Sequence, residues 1–289
     1  MILGPFVGKD HRVAAGYRGH CRYIGLLRMV DDPSIRIRVK GLAKRFGEKE
    51  ILTDIDLDVP GGQSTAIIGP AASGKSVLMK CLVGLYRPER GAIIFDNEDL
   101  NRMTAKRRDE AIFDFGILFQ QGGLFDSLPI WENVAFKLIN YLKQPRTRAR
   151  DVAIEKLARV GLPESVADLY PSEISGGMQK RVGLARAMTG DPSFLFLDSP
   201  TAGLDPVTSN RINAMISETV SQLSATIVCI TSDMEAAQTR YDNLIMLNEG
   251  SIVWRGSTAD VAESEDAYLQ QMICGQAAGP IKMPVLAVE

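Results

Sequence analysis

Apolar residues recur along most of the chain in short runs whose period and flanks predict alternating strands and helices. In Ile35-Arg36-Ile37-Arg38-Val39 they alternate with basic residues, which predicts a half-exposed strand. Ser64-Thr65-Ala66-Ile67-Ile68 predicts a buried strand, followed by a turn at Gly69 and an apolar helix through Leu85. Gly91 to Phe95 returns as a strand. From about 130 to 190 the pattern is helical, with breaks at Pro145, Gly161-Leu162-Pro163 and Pro171. Phe194 to Leu197 and Thr226 to Thr231 predict two more buried strands, with a helix after Pro206 between them. Asn243 to Leu247 and Ser251 to Trp254 read as a hairpin around Glu249-Gly250, and a helix from about Ala259 to Ile273 precedes a tail. Strands alternating with helices imply an α/β fold with a mostly parallel sheet and a helical insertion. No internal repeat is visible.

Composition narrows the picture. The 289 residues suit one large domain with appendages, and 45% hydrophobic with 24% charged residues excludes wholesale disorder. Lys+Arg 33 against Asp+Glu 35 leaves a net charge of −2, which argues against a dedicated nucleic-acid binder. No apolar run approaches the roughly 20 residues that span a bilayer, so a membrane role has to come through a partner. Cys21, Cys81, Cys229 and Cys274 lie far apart without a C-x-x-C pair, as expected of reduced thiols in the cytoplasm. The only histidines are His11 and His20. Residues 1–33 carry five Lys/Arg against one acid up to Val30 and lack a secretory apolar region. They read as a poorly ordered leader, with Met29 a candidate start and a membrane-surface tether the alternative.

Three motifs carry chemistry. Gly69-Pro70-Ala71-Ala72-Ser73-Gly74-Lys75-Ser76 matches G-x-x-x-x-G-K-[ST] between a buried strand and a helix. The main-chain N–H groups of such a loop converge on phosphate, Lys75 reaches the β/γ-phosphates, and Ser76 offers its hydroxyl to Mg²⁺. Phe194 to Asp198 describes a buried strand delivering a carboxylate to its C-terminal tip, where ligands of open α/β sheets bind; Asp198 is the second candidate for Mg²⁺. Ser175-Gly176-Gly177-Met178-Gln179 opens a helix through Ala187. Taken alone it is an ordinary capped helix or a site of close backbone approach to an anion.

In this order the three motifs resemble those of the ABC transporter ATPases, over roughly residues 35 to 256. The resemblance implies a RecA-like P-loop core with an antiparallel β portion and a helical subdomain at about 130–190, in a domain of 34–256 followed by a C-terminal helix and tail (257–289). It implies a head-to-tail dimer enclosing two ATP molecules between one subunit's phosphate loop and the other's Ser175-Gly176-Gly177, with Gln179 alongside. By the same resemblance Phe46 stacks on adenine, core packing being the alternative for a lone aromatic. Gln120 senses Mg²⁺ and faces the permease, and Asp205 belongs to a dimer-contact loop. Gly74-Lys-Ser-Val77, Phe119-Gln-Gln-Gly-Gly-Leu-Phe125 and Trp131-Glu-Asn-Val134 are similar to the Mla-type lipid-transport ATPases. That implies an inner-membrane permease and an MCE-type lipid-binding component as partners, with the chain peripheral on the cytoplasmic face. A homodimer is implied; a heterodimer with an unaltered paralogue is the alternative.

Two positions depart from the family pattern. Ser199 stands where Glu normally follows the Asp of the second motif, and Ser232 stands where a γ-phosphate-contacting His is usual. Ala71 and Ala72 replace the commoner Ser and Gly of the phosphate loop. Binding groups are retained, whereas a positioned general base is worth about 10²–10⁴-fold in rate. A slow ATPase and an ATP-binding regulatory subunit that dimerises with little hydrolysis are therefore the two readings. A soluble ABC protein of DNA or translation is disfavoured for want of a second cassette or a basic tract.

Overall fold

The computed structural model describes residues 34–120 and 122–282, all within one compact unit. The leader, with its two histidines, Cys21 and Met29, and the last seven residues of the tail lie outside the described residues. Among the described residues ten strands form two sheets. β1 (Ile35–Phe46), β2 (Lys49–Pro60), β4 (Arg90–Phe95) and the two-residue β5 (Glu98–Asp99) make an antiparallel sheet in the order β2-β1-β4-β5. The second sheet runs β10-β9-β3-β8-β7-β6, comprising β3 (Ser64–Ile68), β6 (Phe115–Leu118), β7 (Phe194–Asp198), β8 (Thr226–Ile230), β9 (Asn243–Asn248) and β10 (Ser251–Ser257). All its pairings are parallel except the β9–β10 hairpin, which turns through Glu249 and Gly250, both at positive φ.

The central strands β3, β7 and β8 are buried on both faces, which is why they are near-continuously apolar. Alternate residues serve two different cores, as the two-residue period of a strand requires. Ala66, Ile68, Leu195, Leu197, Ile227 and Cys229 face a core built with helices. Ile67, Phe194, Phe196, Val228 and Ile230 face one shared with β1, β2, β4 and α1 (Lys75–Leu82). Helix α1 is thus wedged between the two sheets. Of the remaining helices, α2 (Ala105–Phe113) precedes β6, and α3 (Ile130–Asn140), α4 (Arg146–Arg159) and α5 (Gly176–Ala187) pack on one another between β6 and β7. α6 (Pro206–Leu223), α7 (Met234–Thr239) and α8 (Ala267–Cys274) complete the unit.

Several elements differ from expectation for local reasons. β1 is not half-exposed: it lies between β2 and β4, and Arg38, only 7% exposed, is buried by pairing with Asp58 at 3.0 Å. α1 ends at Leu82 because Gly84, at φ +74°, turns the chain out of the helix. The expected helix from Ala259 shortens to a single 3₁₀ turn (Thr258–Asp260) and α8, whose start is set by the Asp266 carboxylate accepting from the Leu269 N–H at 2.9 Å.

Candidate functional site

The phosphate loop leaves β3 and enters α1 beneath the β9–β10 turn. Gly69 (φ +143°) passes so close to β9 that a Cβ would stand 2.0 Å from the Leu247 carbonyl oxygen, and at Gly74 (φ +104°) one would meet Leu52 at 2.8 Å. Both approaches exclude any side chain. Gly74 is also the N-cap of α1, so the first-turn N–H groups of Lys75 and Ser76 lack helical acceptors, the arrangement that lets a helix start receive an anion. Ala72 sits at φ +61°, a left-handed conformation that costs a residue with a Cβ roughly 1–2 kcal/mol. Ala71 and Ala72 are exposed at the loop's tip, and Pro70 precedes them.

Lys75 crosses the inside of the loop. Its ammonium donates to the carbonyls of Gly69 at 2.9 Å and Pro70 at 2.6 Å, and to Ser73 Oγ at 3.2 Å. Burial pushes its pKa down, and the nearby Asp198 carboxylate opposes that shift. Asp198 ends β7 only 5% exposed, with Ser199 Oγ donating to Oδ1 at 3.2 Å. The Asp198 carboxylate and the Ser76 hydroxyl are both hard oxygen donors, of the kind Mg²⁺ takes. Among the described residues no cluster of three or more His, Cys, Asp or Glu could hold a metal. A magnesium ion here would therefore draw most of its ligands from phosphate and water, as that ion usually does.

Ser199 lies at φ +56°, its N–H donating to the Ile230 carbonyl at 2.9 Å, so β8 anchors the backbone immediately after the carboxylate. Ser232 follows the end of β8 and is exposed, next to Asp233, which caps α7 through Ala236. Gln120 is exposed just past β6, the strand beside β7. Phe46 ends β1 with 46% of its surface exposed, which removes core packing as its role. Tyr86 and Lys44 lie against its ring, and Lys80 lies over Tyr86 in turn; no spacing in the sequence flags these three.

The third motif is placed apart. Ser175 caps α5 by accepting from the Met178 N–H at 3.3 Å, and it and Gly176 are exposed, with nothing within 4 Å of where a Gly176 Cβ would be. A Cβ at Gly177 would press on Leu204 at 3.2 Å. Gln179 turns inward instead, its amide donating to the Pro171 carbonyl at 2.8 Å and so bracing the turn that precedes the helix. Lys180 donates to the Ala202 carbonyl, tying this helix to the loop that ends at Asp205. Asp205 caps α6 through the Thr208 N–H at 2.9 Å, and hydrogen bonding from the Thr208 side chain, together with that N–H, holds its carboxyl below the ordinary range. α5 packs on α3, α4 and β6, while α1 packs on β2 and β7, so the two motifs belong to different faces of the unit.

Comparison with known proteins fits this geometry. The family described as ABC transporter matches residues 52–202. A Mycobacterium leprae protein named as a probable ribonucleotide transport ATP-binding protein is 41% identical over 249 residues, 86% of this chain and 72% of that protein. The intermembrane phospholipid transport system ATP-binding protein MlaF of Haemophilus influenzae is 33% identical over 246 residues, 85% of this chain and 93% of that one. Among solved structures, a dimeric ATP-binding cassette bound to ADP and Pi in a post-hydrolysis state superposes with a TM-score of 0.73 at 28% identity, over 77% of this chain and 98% of the cassette.

Proposed function

The chain belongs to the ABC transporter ATP-binding family and is an ABC-type ATPase, Mla-like by its relatives; from that premise we propose that it powers the movement of phospholipids or related hydrophobic molecules through an inner-membrane permease. The observation that carries the proposal is the division of one chain into a gripping end, Gly69 to Ser76 with Asp198, and an exposed covering end at Ser175 and Gly176. In this reading main-chain N–H groups of the loop and the Lys75 ammonium hold the triphosphate of ATP. Ser76, Asp198 and Gln120 hold Mg²⁺, which supplies charge neutralisation at the phosphate oxygens, and Phe46 stacks on adenine. Ser175, Gly176 and Gly177 of a second copy close over the nucleotide, with Gln179 shaping that helix start and Asp205 at the contact between copies. Among the described residues no helix is long and apolar enough to cross a membrane; in this reading the chain attaches to a permease on the cytoplasmic face, where ATP is available.

The names of the two relatives point to different cargoes. Phospholipid is favoured because the wording after the phosphate loop and around Gln120 resembles the Mla group, to which the MlaF relative, matched over 93% of its length at 33% identity, belongs. An MCE-type lipid-binding component is the further partner this implies. Turnover is slow in this reading. Ser199 and Ser232 replace the carboxylate and imidazole, and Ser199 directs its hydroxyl to Asp198 rather than acting as a base. Phosphoryl transfer relies mainly on positioning and electrostatics, so hydrolysis persists at a reduced rate. The cognate permease and this chain in proteoliposomes test the cargo. ATP-dependent transfer of a labelled phospholipid is expected; ribonucleotide uptake without lipid movement would overturn it.

A further inference from the structure

We infer that Tyr86 is a positioning residue for the nucleotide base, fixing the ring of Phe46 in the attitude that receives it. The inference deepens the reading above and rests on Phe46 being the adenine platform.

An aromatic at the exposed end of a hairpin strand rotates freely unless something holds it. A base stacking on a mobile ring loses affinity to the cost of ordering that ring. Phe46 is held in two ways. Its backbone approach is set by Glu89, whose Oε2 accepts from the Arg45 N–H at 2.9 Å while Oε1 accepts from Lys44 Nζ at 2.8 Å. The same ammonium donates to the Arg87 carbonyl at 2.9 Å, so both residues before Phe46 are tied to the segment following α1. The ring itself is set by Tyr86, edge-to-face at 5.2 Å between centroids and 74° between planes, the arrangement aromatic quadrupoles favour.

Two cations flank the pair. Lys44 Nζ lies 5.1 Å from the Phe46 centroid and 6.0 Å from that of Tyr86, and Lys80 Nζ lies 5.4 Å from the Tyr86 centroid. Lys80 belongs to α1, the helix that carries the phosphate-binding loop at its start, so Tyr86 connects the phosphate-gripping helix to the base platform. The main-chain N–H of Tyr86 donates to the Lys80 carbonyl at 3.0 Å, a bond that survives any side-chain replacement. Removing the Tyr86 ring therefore leaves the helix terminus intact and releases Phe46.

The test titrates the full chain with ATP and, separately, with inorganic triphosphate, which has phosphates and no base. Tyr86→Ala should weaken ATP binding by about three- to ten-fold, the worth of one aromatic pair, and leave triphosphate affinity unchanged. KM for ATP should rise with kcat unchanged, and Tyr86→Phe, which keeps the ring, should retain parental affinity. Equal loss for ATP and triphosphate would mean that Tyr86 only supports α1, and would overturn the inference, as would failure of Tyr86→Phe to rescue. Phe46→Ala separates the two levels: no change in ATP affinity sinks the platform reading itself. A loss with Phe46→Ala but none with Tyr86→Ala sinks the inference alone.

Discussion

The start of α1 and the start of α5 are both glycine-bearing helix N-termini, and they are built in opposite ways. At α1 the glycines are compulsory because neighbouring chain segments crowd them: Leu247 against Gly69, and Leu52 against Gly74. The helix that the loop opens is packed between two sheets, and the loop is threaded by a lysine that takes up the loop's carbonyls. At α5 nothing approaches Gly176, Ser175 and Gly176 stand in solvent, and the bracing bonds from Gln179 and Lys180 run behind the helix start. A glycine whose absent side chain meets nothing within its own subunit makes sense if another molecule takes up that space. The first terminus is closed within its own chain, and in the function proposed above the second is half of a contact.

Substitutions can pull these two ends apart. The largest effect is expected at the grip: Lys75→Ala should lower ATP affinity by about 100-fold or more in calorimetry, because a charge-assisted contact to phosphate is lost from a partly buried site. Next comes the chemistry beside the grip. Ser199→Glu with Ser232→His should raise phosphate release toward the about 10²–10⁴-fold that a positioned base supplies, with nucleotide affinity little changed. The backbone at 199 is already left-handed, so glutamate there adds no strain beyond what serine carries. If the double variant is no faster than the parent, the assignment of those positions is wrong. The smallest effect is at the loop tip. Ala72→Gly relieves a positive φ and should raise thermal stability by about 1 kcal/mol, less the entropy that glycine adds to the unfolded chain.

Buried parallel strands announced themselves because both faces must be apolar, which is why Ser64–Ile68, Phe194–Asp198 and Thr226–Ile230 were readable from runs alone. Strand β2 escaped that reading although Leu52, Ile55, Leu57 and Val59 supply its buried positions; bulges in its pairing with β1 interrupt the simple alternation. α2 was invisible to hydrophobic periodicity because it buries no residue, and it forms behind a Thr104 cap. In the site, residue identities were legible from motif spacing, whereas conformation was not. Nothing in the composition around Ser199 signals a left-handed backbone, since that is imposed by its anchoring to the neighbouring strand β8. The Tyr86–Phe46 contact joins residues forty positions apart and leaves no local trace.

The contrast between a finished grip and an unfinished cover reduces to one measurement: sedimentation of the full chain with and without saturating Mg-ATP, with Gly176→Glu in parallel. The parent should shift from monomer to dimer when nucleotide is added. The variant, whose new side chain meets open space in its own subunit, should bind ATP and stay monomeric. A parent that remains monomeric at saturating Mg-ATP, or a variant that dimerises as readily, would contradict the composite site.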